Sequence, residues 1–139
     1  MNILIADDHE PIRIGLIRII KEEFPSAIVE EASNGIEAEN MGLLNKWDLI
    51  IMDISMPHKT GLDVLRQLRA KSVKTPILIC SYHPENQYAL RMLKEGANGY
   101  LSKGCSHNDF IDAIQIILSG KTYVSKELSE KTNDYTSKK

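Results

Sequence analysis

Asp7 with Asp8, Asp53 and Ser81 follow directly on short apolar runs and Lys103 comes one residue after another, and together they offer three carboxylates, one hydroxyl and one ammonium. These types suit the handling of a phosphoryl group: carboxylates to hold a cation or attack phosphorus, and a hydroxyl and an ammonium to meet the phosphoryl oxygens. Taken singly, each has a plainer reading. Asp7 and Asp8 could end a strand and cap a helix, Asp53 could be a loop carboxylate, Ser81 a turn hydroxyl and Lys103 a solvated stem. Their shared place at strand ends, in order along the chain, favours one site.

Bringing residues nearly a hundred positions apart to one place requires a sheet whose strand ends converge. Apolar runs alternate with amphipathic segments, the pattern of βα units building a parallel sheet. The runs predict strands at Ile3 to Ala6, Ala27 to Glu31, Leu49 to Met52, Ile77 to Cys80 and Gly99 to Leu101. The first, third and fourth are continuously apolar, as strands covered on both faces should be. Between them Ile12, Leu16, Ile19, Ile20 and Phe24, and later Phe110, Ile111, Ile114, Ile117 and Leu118, recur at helical spacing. Pro11 suits a first helical turn, and Asn34 with Glu37, Thr60 with Asp63, and Ser106 with Asp109 mark helix starts. Right-handed crossovers then give a flavodoxin-like, doubly wound (βα)5 sandwich with a parallel five-stranded sheet in the order 2-1-3-4-5. Ligands of such sheets bind at the carboxyl ends of the strands, where the chemistry-bearing residues fall.

Composition narrows the classes. A length of 139 residues with 42% hydrophobic content suits one compact domain. A formal charge of -2 supplies no positive field for holding nucleic acid. No apolar run reaches the roughly 18 residues of a membrane span, and Met1 leads straight into a strand, so a cytoplasmic protein without membrane contact is expected. Cys80 and Cys105 lack metal-ligand spacing and suit a reducing compartment. His9, His58, His83 and His107 share no metal spacing and read as solvated or capping residues, and the methionines as core filler.

Ala6-Asp7-Asp8, Met52-Asp53-Ile54-Ser55-Met56-Pro57, Ser81 and Tyr100-Leu101-Ser102-Lys103, with Gly61 and the run Gly96-Ala97-Asn98-Gly99-Tyr100, resemble the receiver domain of two-component response regulators. The resemblance spans about residues 2–120. Gly104 after the lysine, and Gly120-Lys121-Thr122-Tyr123-Val124-Ser125 later, are similar to the subgroup with a helix-turn-helix DNA-binding output domain. It implies a receiver domain over 1–122 and a polar linker or tail over 123–139, with DNA bound only through an output domain absent from this chain.

Three carboxylates at one point are costly to ionise together without a cation, so a divalent metal is implied; hard oxygen donors favour Mg²⁺, with Mn²⁺ as substitute. Asp8, Asp53 and the backbone carbonyl of Ser55 are the expected ligands, with Asp7 acting through water. Asp53 is the expected phosphoacceptor, attacking the phosphorus of a phosphohistidine or small phosphodonor to form an acyl phosphate, assisted by Lys103 and Ser81. The resemblance further implies that Ser81 is drawn toward the phosphoryl group and Tyr100 turns inward, altering the surface of helix four, strand five and helix five. It also implies a sensor histidine kinase or phosphotransfer protein as partner, self-assisted phosphorylation and dephosphorylation rather than turnover of a substrate, and homodimerisation on phosphorylation as one output.

Two residues depart from the family pattern. Tyr82 stands where a small residue is commoner and is expected to overhang the phosphoryl pocket as a gate, and Gly104 replaces a frequent proline. Other readings remain at this stage: a haloacid-dehalogenase-like Mg²⁺-dependent phosphatase, which usually wants a second Asp where Ser55 stands; a flavin-binding electron carrier, whose phosphate Asp7 and Asp8 would repel; and a receiver working unphosphorylated as a protein-binding module.

Overall fold

The structure, a computed structural model, describes residues 1–125. Strands and helices alternate as β1 (Asn2–Ala6), α1 (Glu10–Glu23), β2 (Ile28–Ala32), α2 (Gly35–Gly42), β3 (Leu49–Met52), α3 (Gly61–Ala70), β4 (Ile77–Ser81), α4 (Glu85–Lys94), β5 (Gly99–Ser102) and α5 (His107–Leu118). All the strand pairings are parallel and the order is β2-β1-β3-β4-β5, the order expected from the sequence.

Strand alternation sorts the core into two layers. Leu4, Ala6, Ile50, Met52, Ile77, Ile79 and Tyr100 point to the face covered by α2, α3 and α4, where they meet Ala38, Val64, Leu65, Leu68, Ala89 and Met92. Their neighbours Ile3, Ile5, Leu49, Ile51, Leu78, Cys80 and Leu101 point to the other face, against Ile20, Phe110, Ile111, Ala113, Ile114 and Ile117 of α1 and α5. A period of two on a sheet buried on both sides explains why β1, β3 and β4 are continuously apolar.

Strand boundaries shift where local hydrogen bonds compete. β2 starts at Ile28 and not at Ala27, because the Ala27 amide donates to Phe24 O (2.9 Å) and holds that residue in the turn after α1. β4 runs on to Ser81, which pairs with Ser102 at the end of β5, so the serine belongs to the strand itself.

The helix starts use their polar residues unequally. Thr60 and Asp63 form a reciprocal capping box, with Asp63 N donating to Thr60 Oγ1 (3.1 Å) and Thr60 N to Asp63 Oδ2 (3.4 Å). Asn34 and Ser106 accept from the amides of Glu37 and Asp109 (2.9 and 3.0 Å). The Glu37 carboxylate turns instead to the amide and hydroxyl of Ser33 (2.8 and 2.6 Å), and these hydrogen bonds hold its pKa below the ordinary glutamate value.

Candidate functional site

The sheet extends its ladder one residue beyond three strands and thereby fixes the backbone of three site residues. Asp7 N donates to Ala32 O (3.0 Å), Asp53 N to Ala6 O (3.0 Å) and Lys103 N to Ser81 O (2.9 Å). Because β1 and β3 are neighbours, Asp7, Asp8 and Asp53 meet across one crevice. Asp7 and Asp53 are buried, as is Ser81, while Asp8 faces outward.

Lys103 reaches between the two buried carboxylates, its Nζ 2.6 Å from Asp7 Oδ2 and 3.0 Å from Asp53 Oδ2. Burial pulls the Lys103 pKa down, but hydrogen bonds to Asp7 and Asp53 and the charge of both carboxylates more than offset it, leaving the ammonium above its ordinary value. The other oxygen of Asp53, Oδ1, accepts from Ile54 N (2.7 Å). One ammonium set against three carboxylates leaves the crevice net negative, and an oxygen or nitrogen donor from each of Asp7, Asp8, His9 and Asp53 lies within 4.8 Å of the others. A set dominated by hard carboxylate oxygens, open on the Asp8 side, fits a hexacoordinate divalent ion that retains water.

His9 was expected to be solvated or to cap a helix. It is exposed, in keeping with the first of these, and occupies the N-cap position of α1 without a side-chain cap; its Nδ1 lies 3.0 Å from Asp7 Oδ1 and 3.1 Å from Asp8 Oδ1. Its place next to Asp8 was the available signal, since a chain leaving a strand end for a helix keeps adjacent residues in the same crevice. His83 is the second residue whose role was not legible. Its amide donates to Ser81 Oγ (3.0 Å), its carbonyl accepts from Tyr100 Oη (2.8 Å), its Nε2 lies 2.9 Å from Ser55 Oγ, and its ring meets Tyr88 edge-on with centroids 4.8 Å apart. The β4–α4 loop thus gathers Ser81, Tyr100 and Ser55 on one residue.

Tyr100 is 0% exposed in the layer beneath α4. Burial pushes its phenol up to about 12. Tyr82 points outward, 67% exposed, and its ring lies over the Lys103 ammonium at 5.2 Å from the centroid, within cation–π range. It borders a cavity of about 240 Å³ between α1 and the start of α5, lined by Ile12, Leu16, Ile19, Cys80, Lys103 and Phe110 among others. Burial likewise raises the Cys80 thiol to about 12, so this cysteine is a packed apolar group.

Comparison with known proteins agrees with this geometry. The sequence model of the response regulator receiver domain matches residues 3–115, and the chain belongs to that family. It is 33% identical over 130 residues to the response regulator UvrY of Escherichia coli K12, covering 94% of this chain and 60% of UvrY. It is 34% identical over 130 residues to the oxygen regulatory protein NreC of Staphylococcus epidermidis, covering 93% of this chain and 60% of NreC. The chain therefore spans about three-fifths of the length of these curated relatives. Among solved structures, a LuxR-family two-component response regulator from an Aurantimonas species superposes with a TM-score of 0.86 at 29% identity, covering 97% of this chain and 96% of that one. These relatives support the sequence-level assignment to the subgroup with a helix-turn-helix output. Among the described residues no helix is long and apolar enough to cross a membrane.

Proposed function

We propose that this receiver domain is a phosphorylation-driven switch that takes a phosphoryl group onto Asp53 from a sensor histidine kinase or phosphotransfer protein. The observation that carries the reading is the placement of Asp53: a buried carboxylate with Lys103 on one oxygen, the Ile54 amide on the other, and Asp7 and Asp8 alongside.

Asp8, Asp53 and the backbone carbonyl of Ser55 would hold Mg²⁺, or Mn²⁺ in its place, with Asp7 acting through water. When bound, the ion supplies positive charge to the carboxylates and phosphoryl oxygens so that the anions can approach. Asp53 provides the attacking carboxylate oxygen. A new O–P bond forms as the bond from phosphorus to the donor nitrogen or oxygen breaks, and the donor leaves on the opposite side with its electron pair. The Ile54 amide and Lys103 hold the carboxylate in place before attack, and Lys103 then meets an equatorial phosphoryl oxygen. The Ser81 hydroxyl accepts from the His83 amide and keeps its own proton free to donate to a second phosphoryl oxygen.

The domain assists its own phosphorylation and dephosphorylation, and Tyr82 regulates access through its position over Lys103. Residues 1–122 carry the switch; of the expected polar tail over 123–139, Tyr123 and Val124 pack on the domain and the part beyond 125 lies outside the described residues. The output read from this switch binds DNA through a further domain and controls transcription in the cytoplasm, with homodimerisation on phosphorylation as one route. A haloacid-dehalogenase-like phosphatase is disfavoured because the position two after Asp53 holds Ser55, whose hydroxyl pairs with His83.

Incubation with Mg²⁺ and acetyl phosphate, or with a phosphorylated histidine kinase domain, followed by intact mass measurement tests the reading. An adduct of one phosphoryl group, absent from Asp53→Asn, is expected. No adduct from either donor in protein that binds Mg²⁺ would overturn it.

A further inference from the structure

We infer that residues 121–125 form a strap over the outer edge of β5, latched to the start of α4, and that this latch tightens when Asp53 carries its phosphoryl group. The inference rests on the phosphoacceptor reading above and adds the segment that reads the switch.

β5 is the last strand of the sheet, so its outer backbone edge lacks a neighbouring strand. α5 ends at Leu118 with Ser119 as its C-cap, and Gly120, at a φ of +95°, reverses the chain as only glycine readily does. The Gly120 amide donates to Ile117 O (3.0 Å) and the Lys121 amide to Ile116 O (3.2 Å), closing the helix end. The returning segment then runs parallel to β5: Tyr123 bridges Gly99 and donates its amide to Asn98 O (2.9 Å). Gly99 leaves the needed room, since a Cβ there would lie 2.9 Å from Ile117 Cδ1 and 3.2 Å from Tyr123 Cβ.

Successive side chains of the strap go to opposite faces of the sheet. Tyr123 packs on the layer of α1 and α5, and Val124 on the layer that contains Tyr100, Ala89 and Met92. The Ser125 hydroxyl donates to Glu85 Oε1, on the first residue of α4. Glu85 is two residues beyond His83, whose amide and carbonyl are held by Ser81 and Tyr100. The path from the site to the strap is therefore Ser81, His83, Glu85 and Ser125, a loop and two hydrogen bonds with no long-range step.

The direction of the coupling follows from the hydroxyl of Ser81. It already accepts from the His83 amide, and donating its proton to a phosphoryl oxygen fixes the rotamer that makes this bond and strengthens it. The loop is held more firmly in the arrangement in which Tyr100 is buried and Ser125 reaches Glu85. Linkage then works in reverse as well: weakening the latch weakens binding of a phosphoryl mimic by the same factor.

The test compares protein in Mg²⁺ alone with protein in Mg²⁺ and beryllium fluoride. Occupancy of Asp53 is read by the fluorine resonance of the bound group, absent in Asp53→Asn, and the strap by hydrogen exchange at the Tyr123 amide. With the site occupied, exchange at Tyr123 should slow about two- to tenfold, the range of one hydrogen bond, and Ser125→Ala should weaken beryllofluoride affinity by a similar factor. A bound resonance with unchanged or faster exchange at Tyr123, or with full affinity in Ser125→Ala, overturns the strap while leaving the phosphoacceptor intact. Absence of any bound resonance overturns both.

Discussion

Lys103 Nζ lies 2.6 Å from Asp7 Oδ2, both side chains 3% exposed, and the same nitrogen reaches Asp53. A buried pair of this kind is costly to break from one side, because the Asp7 and Asp53 carboxylates would lose the ammonium that both share. Lys103→Met should therefore lower the stability of the metal-free protein by roughly 2–4 kcal/mol. Urea unfolding with and without Mg²⁺ checks this, and the loss should be smaller with Mg²⁺ present, since the ion compensates the same carboxylates.

Asp8 behaves oppositely, because its carboxylate adds negative charge to a crevice already short of cations. Asp8→Asn should raise the melting temperature without metal, by an amount corresponding to about 1 kcal/mol, and should abolish the stabilisation that millimolar Mg²⁺ confers on the parent chain. Thermal unfolding in EDTA and in Mg²⁺ measures both effects. An unchanged Mg²⁺ response in Asp8→Asn would remove Asp8 from the ligand set.

Tyr100 links burial to alkaline stability. Its folded pKa is raised to about 12 from an ordinary 10.0, so between those values the folded state keeps a proton that the unfolded chain has lost. Stability is then complete below pH 10 and falls as the pH rises toward 12, by roughly 2–3 kcal/mol over the two units. Denaturation at a series of alkaline pH values should show this slope, and Tyr100→Phe should flatten it. The Lys103 shift has the same sign, since a raised lysine also loses stabilisation as pH rises past its ordinary range.

Two glycines should respond in opposite ways to an added methyl group. A Cβ on Gly15, inside α1, meets nothing within 4 Å, so Gly15→Ala should stabilise by roughly 0.5–1 kcal/mol through helix propensity. A Cβ on Gly61 would lie 2.2 Å from the backbone oxygen of Asp53, so Gly61→Ala must displace the β3–α3 loop or the start of α3. Its phosphoryl adduct should form at least tenfold more slowly even where the protein remains folded, as circular dichroism and time-resolved mass measurement would show.

Tyr82 covers Lys103 from the solvent side. Tyr82→Ala should raise the rate of autophosphorylation from acetyl phosphate or of dephosphorylation by about two- to fivefold, the equivalent of losing one exposed cation–π contact and its shielding. Unchanged rates in both assays would remove the gate.

Much of this was legible in order and type. Continuous apolar runs specified strands buried on both faces and helical spacing specified their covers; the crossover rule allowed more than one strand order, and the expected flavodoxin-like one, with β1 and β3 adjacent and Asp7, Asp8 and Asp53 at their ends, is the one observed. Of the motifs that carry the family resemblance, Asp7 with Asp8, Asp53, Ser81 and Lys103 lie at the carboxyl ends of β1, β3, β4 and β5, where the sheet leaves backbone and side chains free for chemistry.

What the chain order could not convey was which atoms meet once the loops close. The Lys103 ammonium chose Asp7 as well as Asp53, His9 turned to the carboxylates in place of a helix amide, and His83 became the junction of Ser81, Tyr100 and Ser55. Periodicity is a property of repeating backbone geometry and is written locally, so it survives in the sequence. Loop partners depend on distances between elements far apart in the chain, and Tyr123 finds Asn98 and Gly99 only after the sheet has placed the edge of β5 beneath it.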